Sequence, residues 1–509
     1  MSTLIHPFDY RVREEMIFII YLICLIGFAR ANVNVTEFLE SFPSHDRAKY
    51  LGLQRKLVQD CLSNEKECSY FKYAKQSKYA CWGYEVDCEP KIIAHCPQIS
   101  KLEEAEAKEN FWKNADFGYV AEKMDGMQDE CLPGESSLVC TKNKGLCIAS
   151  NVILDFTVFS ERDWERFRKN PSHISNGLLK ASCSLDPNVN HAEGIDQFLY
   201  SWIAVLKSFE TVTQNQFQKC DIYLDSSPVF FLQLERKADF NIRIGDLISL
   251  YVSQHLTNRF DPNIQIINWG VDDQLNDEYQ ELWKAFSKQA FQSLNEFKNK
   301  VVCIKEAVFS NVPRSSLGMI HNFPNLNFCQ KSSMYESFKF FFLHRMGIVS
   351  HHHDTIQSTY VEHTPTESRQ ITNSADLAAH IHIVLDHMVL NEVIFSEVSL
   401  KEEVEIAANT HIYIAMHGPS LVHQIFMPPD GYVFEIYNCG DSKLYKDLAA
   451  VMGHTYLTLS KQYVKMVGDE TNLKEIDANY TVDRPEFIRT LIRTSNALST
   501  RITAFKDEL

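Results

Sequence analysis

Beyond residue 31 this chain of 509 residues has no apolar run long enough to cross a bilayer, which takes about 20 residues in a helix. It has no excess of basic charge: 50 lysines and arginines face 66 aspartates and glutamates, a net charge of -16. That balance repels a phosphate backbone and excludes nucleic acid as a partner. No two cysteines have the C-x2-C spacing of a structural zinc site. No D-x-D sits at a convincing strand end, and there is no internal repeat or low-complexity tract.

What is present is a globular composition, 45% apolar and 23% charged, on a chain long enough for two or three lobes. Arg11 and Arg13 precede an apolar run over 17–28, and Ala29-Arg30-Ala31 puts small residues before a cut at Asn32. Residues 1–31 therefore read as a secretory signal peptide, with Met16 an alternative start. Lys506, Asp507, Glu508 and Leu509 spell KDEL, the address read by the KDEL receptor for retention in the endoplasmic reticulum lumen. The expectation is a lumenal protein with no membrane span once the leader is removed. Asn34 and Asn479 begin glycosylation sequons.

Cysteine usage agrees with that compartment. Of fourteen cysteines, Cys24 belongs to the leader, which leaves thirteen, an odd number with at least one thiol free or intermolecular. Ten lie between Cys61 and Cys220, and in an oxidising lumen they read as a disulfide framework whose pairing the sequence does not give. Residues 32–150 are cysteine-spaced and loop-rich, with a helical run over 101–114. From about 151 the texture changes. Segments 151–159, 221–224, 229–232, 264–269 and 301–304 read as strands and 242–256 as a helix. The polar, histidine-rich stretch 351–373 reads as a connection and 374–391 as a helix; 410–416 and 432–437 read as strands. Strands alternating with helices argue for α/β lobes with parallel sheets.

The densest chemical signal is the run 412–438, a strand, a glycine turn, a helix, a Pro-Gly turn and a second strand. His417 and Gly418 stand where the first strand passes into the helix, a seat for a diphosphate at a helix N-terminus. Glu435 ends the next strand, where a carboxylate can accept ribose hydroxyls. His351, His352, His353 and Asp354 are adjacent in a loop and so do not converge on one metal ion.

The stretch MHGPSLVHQIFMPPDGYVFEIYNCGD (416–441) resembles the signature of the EGF domain-specific O-linked N-acetylglucosamine transferases, M-H-G-A-G-L-x-H, F-L-P and F-E-L-Y-N-C. CWGYE (81–85), FWKNADFGY (111–119), KEAVFS (305–310) and Asn479-Tyr480 match further family segments, so the resemblance runs from about Cys61 to Phe487. It implies an α/β, GT-B-like fold of two Rossmann-like lobes, with residues 151–345 on the acceptor side and 346–505 on the nucleotide-sugar side. Ahead of the lobes would lie the cysteine-rich region 32–150. It implies inverting transfer of GlcNAc from UDP-GlcNAc to Ser or Thr of EGF-like domains of secreted or membrane proteins, with no required cofactor. Asp246 would be the general base, and Arg369, His417, Gly418, Ser420, His423 and Glu435 would hold the nucleotide sugar.

Three departures fall in the implied site. The family's N-x-x-H-x-x-x-D becomes Asp239, Ile242 and Asp246; the first Arg of L-A-R-S-T-E-Y-R becomes Thr364 while the second stays as Arg369; and G-A-G-L becomes Gly418-Pro419-Ser420-Leu421. Thr cannot supply an arginine's fork to a phosphate, and Pro419 removes a backbone N–H. The alternative expectation is thus an inactive relative that binds EGF-like domains in the lumen.

Overall fold

Two sheets share one apolar core in the computed structural model of the chain. It describes residues 39, 47–52, 55–77, 116–189, 202–213, 217, 219–234, 239–257, 259–260, 262–270, 278–310, 332–351, 353–364, 368–437, 444–468 and 478–507. The leader, Asn34, Cys81 to Cys96, the run 101–114, Glu508 and Leu509 lie outside the described residues, as do the side chains of Lys506 and Asp507.

The first sheet is mixed. Met127–Asp129, Ser137–Thr141, Leu146–Asp155 and Val301–Ser310 run antiparallel in turn, and Val229–Leu232, Gln265–Asn268 and Gln292–Ser293 then follow Val301–Ser310 in parallel. The change of texture near residue 151 falls inside the strand Leu146–Asp155. The second sheet is wholly parallel, in the spatial order Met388–Ile394, Ile356–Glu362, Ile412–Ala415, Tyr432–Glu435, Thr455–Thr458. Strands such as Val229–Leu232 and Ile412–Ala415 are covered on both faces and are buried and apolar at every position rather than alternating. Phe230 and Leu232 face the shared core while Val229 and Phe231 face the outer core of the first sheet. Tyr413, Ala415 and Val433 face the shared core, and Ile412, Ile414 and Phe434 the outer core of the second sheet.

The helix Phe240–Thr257 runs through the shared core and is buried at nearly every position. A helix apolar on all sides has no solvent face to orient it, so its polar groups must be paired inside. Arg243 Nη1 donates to Asp246 Oδ2 at 2.9 Å, the Tyr251 and Ser337 hydroxyls meet at 2.5 Å, and Ser253 meets Ser310 at 2.6 Å. Asp239 caps its start: Oδ1 accepts Ile242 N–H at 2.9 Å. The helix Ser333–Met346 packs beside it through Phe338 and Phe341, whose ring centres lie 5.6 and 5.2 Å from Tyr251. Gly347, at φ +66°, ends that helix in the left-handed region that glycine occupies without strain.

Two sequence expectations are corrected. The stretch 351–373 is no mere connection: Ile356–Glu362 is an inner strand of the second sheet. Its polar residues are tolerated because they are paired, Ser358 Oγ donating to Val389 O at 3.0 Å and Thr359 meeting Thr410 at 2.5 Å. The helix expected over 374–391 stops at Val384, and Met388–Ile394 is a strand.

The disulfide framework is present among the described residues as Cys61–Cys68, Cys131–Cys183, Cys140–Cys147 and Cys220–Cys303. Among them, no helix is long and apolar enough to cross a membrane.

His255 gives this core an acid sensitivity. Its ring is wedged edge-on between Tyr251 at 4.6 Å and Phe260 at 4.7 Å, and burial pushes its pKa down to about 3. The unfolded chain takes up a proton near pH 6.5 that the folded chain refuses until about pH 3. This contribution to stability is complete above pH 6.5 and is lost as pH falls through that window, by about 1.4 kcal/mol per pH unit. His255→Leu should flatten the fall of Tm between pH 6.5 and 4.5 in thermal denaturation; an unchanged slope would place the acid sensitivity in other groups.

Candidate active site

Counted along the chain, the strands of the second sheet lie in the order 2-1-3-4-5. Successive connections leave strand 1 in opposite directions, so a crevice opens between Ile356–Glu362 and Ile412–Ala415 at their carboxyl ends, where α/β sheets bind ligands. Arg369 follows the first of these strands, His417 follows the second, and Glu435 ends the next. The topology therefore brings together three residues that the sequence separates by up to 66 positions (435 minus 369).

Arg369 sits at φ +62°, in the left-handed region, which costs a non-glycine residue of order 1–3 kcal/mol. Its segment is held there by the strand Asn479–Val482. Arg369 N–H donates to Ala478 O at 3.1 Å, Gln370 N–H to Asn479 Oδ1 at 3.0 Å, and Tyr480 N–H to Gln370 O at 2.8 Å. Asn479, read from sequence as a glycan acceptor, is half-buried and braces this turn. From it, Arg369 Nη1 reaches across the crevice to donate to His417 O at 2.6 Å, while Nε is buried with no partner among the described residues.

Glu435 is fully buried. The strand's pleat sends it to the same face as Val433, toward the shared core. One carboxylate oxygen accepts from His417 Nδ1 and the other from the Tyr456 hydroxyl. The ribose role expected of Glu435 thus meets a carboxylate closed to solvent and engaged at both oxygens. Holding the proton on Nδ1 leaves Nε2 of His417 as the ring's other working atom, and Nε2 has no partner among the described residues. Tyr445 lies edge-on to His417 at 5.2 Å. Burial pushes the Tyr445 hydroxyl pKa up, the charges of Glu435 and Asp239 add to the rise, and Arg369 opposes it. One ring is thereby within electrostatic reach of both sides of the site.

Gly418 is extended, at φ 168° and ψ 176°, and Pro419 opens a 3-10 helix, Pro419–Phe426. Proline lacks an N–H and Leu421 N–H already bonds Gly418 O at 3.1 Å, so this turn offers an anion fewer backbone donors than a glycine-rich one. Ser420 compensates in kind: its Oγ is buried without a partner among the described residues. His423 faces elsewhere. It is 2% exposed, its Nδ1 lies 2.9 Å from Ser420 O and its Nε2 2.8 Å from Glu403 Oε2, and its ring stacks on Phe240 at 4.0 Å. In place of a nucleotide contact it joins the two halves of the molecule.

Asp246 is buried, 6% exposed, in its ion pair with Arg243. Asp239, about 10 Å nearer the start of the helix at 1.5 Å per residue, is exposed beside Phe240. Sequence reasoning passed over Asp239, Tyr445 and Tyr456 as site residues. Asp239 carried a signal, the acidic residue before a helix; the tyrosines carried none beyond their place in apolar runs. His351 and His353 lie ahead of Ile356–Glu362, at the opposite end of the sheet from the crevice, with ring centres 6.2 Å apart.

The glycosyltransferase 61 family model matches residues 254–434, which take in Arg369, His417 and Ser420. The EGF domain-specific O-linked N-acetylglucosamine transferase of Gallus gallus is 32% identical over 450 residues, 84% of this chain and 83% of the relative. The Bos taurus protein of the same name is 31% identical over 85% of each chain. That of Drosophila melanogaster is 29% identical over 88% of this chain and 89% of its own. Likeness of that extent, along more than four fifths of both chains, makes this chain a glycosyltransferase-family protein that belongs with the EGF domain-specific O-linked N-acetylglucosamine transferases.

Proposed function

We propose that the chain transfers N-acetylglucosamine from UDP-GlcNAc to Ser or Thr hydroxyls of EGF-like domains, with inversion at the anomeric carbon, in the endoplasmic reticulum lumen. The relatives' names support the donor sugar and acceptor class. The four disulfides and the KDEL ending support the compartment. In this reading the first sheet belongs to an acceptor-side lobe and the second to a nucleotide-side lobe, as in a GT-B enzyme, with the cysteine-rich region ahead of them.

The observation that carries the proposal is Arg369, which crosses the crevice to His417 O with its Nε buried and without a partner among the described residues; Ser420 Oγ, three residues beyond His417, is likewise unpaired among them. Buried polar groups are almost always paired; a guanidinium nitrogen left unpaired at a crevice, with His417 Nε2 also without a partner among the described residues, supports a seat for an anionic ligand. A nucleoside diphosphate fits that chemistry. The guanidinium supplies fixed charge, Ser420 a hydroxyl in place of the N–H that Pro419 removes, and His417 a ring held in one orientation by Glu435 and Tyr456. These groups would stabilise the charge that develops on the departing diphosphate, and the reading calls for no resident cofactor.

A second reading, an inactive relative that binds EGF-like domains, is favoured by the backbone donor lost at Pro419 and by aliphatic Ile242 in the first turn of the helix. Mass spectrometry of a folded EGF domain incubated with the full lumenal chain and UDP-GlcNAc separates the two. Gain of one N-acetylhexosamine on Ser or Thr is expected; no gain at high enzyme concentration, with UDP binding absent by calorimetry, would overturn the transferase reading.

Two variants test the site itself. Arg369→Ala should weaken UDP about 10- to 100-fold, the range expected from about 1.5–3 kcal/mol for hydrogen bonds to a charged group, and Arg369→Lys should recover only part of it because it lacks the fork. Glu435→Gln should lower kcat about 100-fold at unchanged Tm, since an amide can bond His417 in either ring orientation; wild-type turnover would show that the buried carboxylate serves packing alone.

A further inference from the structure

Resting on that reading, we propose that Asp239, rather than Asp246, is the general base that takes the proton of the acceptor hydroxyl. Inverting displacement needs the attacking oxygen and the leaving group on opposite faces of the anomeric carbon. The anion seat at Arg369, His417 and Ser420 lies on the second sheet, so the base must come from the facing wall. That wall is the start of the helix Phe240–Thr257. Phe240 stacks on His423 at 4.0 Å with 9° between the rings, and His423 belongs to the same 3-10 helix as Ser420. Asp239 is the residue immediately before Phe240.

The two carboxylates of this helix differ in the property a base requires. Asp246 is 6% exposed and its Oδ2 receives Arg243 Nη1 at 2.9 Å; an external hydroxyl would have to displace a buried guanidinium to reach it. Asp239 is exposed and directs Oδ1 inward to the Ile242 N–H at 2.9 Å. Its Oδ2 has no partner among the described residues. The cap bond fixes the carboxylate's orientation while the second oxygen remains open. The charge of Asp239 is felt at Tyr445, as are those of Glu435 and Arg369, which places it on the site's own electrostatic scale.

In the step itself, the acceptor oxygen forms the new bond to the anomeric carbon and its proton passes to Asp239 Oδ2. The bond from that carbon to the diphosphate oxygen breaks with its electron pair, and UDP departs from the Arg369 side.

Asn caps a helix as well as Asp does, so Asp239→Asn removes the base and leaves the cap. With the full chain, UDP-GlcNAc and a folded EGF domain, this variant should lose about 100-fold or more in kcat. UDP affinity by calorimetry should not weaken and Tm should be unchanged, so that the loss falls on kcat alone. Asp239→Glu should recover part of the rate. Asp239→Ser, a second cap-competent residue without a carboxylate, should behave as Asp239→Asn does. Turnover of Asp239→Asn within threefold of an active wild type would overturn the assignment; a wild type that transfers nothing would overturn the transferase reading and this inference with it.

Discussion

Everything in the site depends on the burial of one helix. Phe240–Thr257 has apolar neighbours from both sheets on its flanks, and a helix in that position can leave the core only by unmaking it. Its rotation about its own axis is fixed by a few polar pairs, Arg243 with Asp246, Tyr251 with Ser337 and Ser253 with Ser310. Each would cost several times a normal hydrogen bond if a rotation stranded its partners in the core. This rigidity fixes the helix start that the proposed mechanism uses as one wall of the site. Phe240 is held against His423 by ring stacking, and Asp239 is the exposed residue just before it.

The second sheet contributes the opposite wall by a different device. Its crevice comes from strand order, and its side chains are then pulled into place by buried and half-buried groups behind them. Arg369 keeps an unfavourable left-handed backbone because Ala478, Asn479 and Tyr480 bond it and the following Gln370. His417 is oriented by a carboxylate that burial has removed from any other use. Glu435 in a core would be costly alone; with His417 on one oxygen and Tyr456 on the other it becomes a fixed point from which the imidazole projects.

The sequence made parts of this legible and hid others for definite reasons. Strands 229–232, 412–415 and 432–435 were readable because strands covered on both faces are unbroken apolar runs, and the helix 242–256 because of its length. The strand Ile356–Glu362 was hidden because its hydroxyls, paired with Val389 and Thr410, look like surface polarity until the partners are in view. The disulfide framework was legible as a set, but Cys220–Cys303 joins residues 83 positions apart, and no local pattern gives that pairing. His417 and Arg369, which the motif singles out, meet at the crevice through the bond from Nη1 to His417 O. The direction of Glu435, toward His417 and away from solvent, follows from the pleat and from Tyr456 on the neighbouring strand, neither of which a motif encodes. Asp246 drew attention because it matched a pattern, and its ion pair with Arg243 appears only in three dimensions.

This last contrast bears on how a diverged member of a transferase family can keep its chemistry. The family pattern has a neutral residue at 239 and a titratable one at 242; this chain has a carboxylate at 239 and an aliphatic side chain at 242. Positions 239 and 242 are linked by the cap bond itself, Asp239 Oδ1 to Ile242 N–H, and lie within one turn of the same helix end. A titratable group at either position therefore belongs to the same helix end. The helix start is fixed by core contacts made further along, at Ile244, Leu247 and Ile248, so exchanging side chains at its exposed end leaves the scaffold intact. Two separately braced walls tolerate such exchange better than a single loop does, because neither wall's geometry depends on the side chain at 239 or 242.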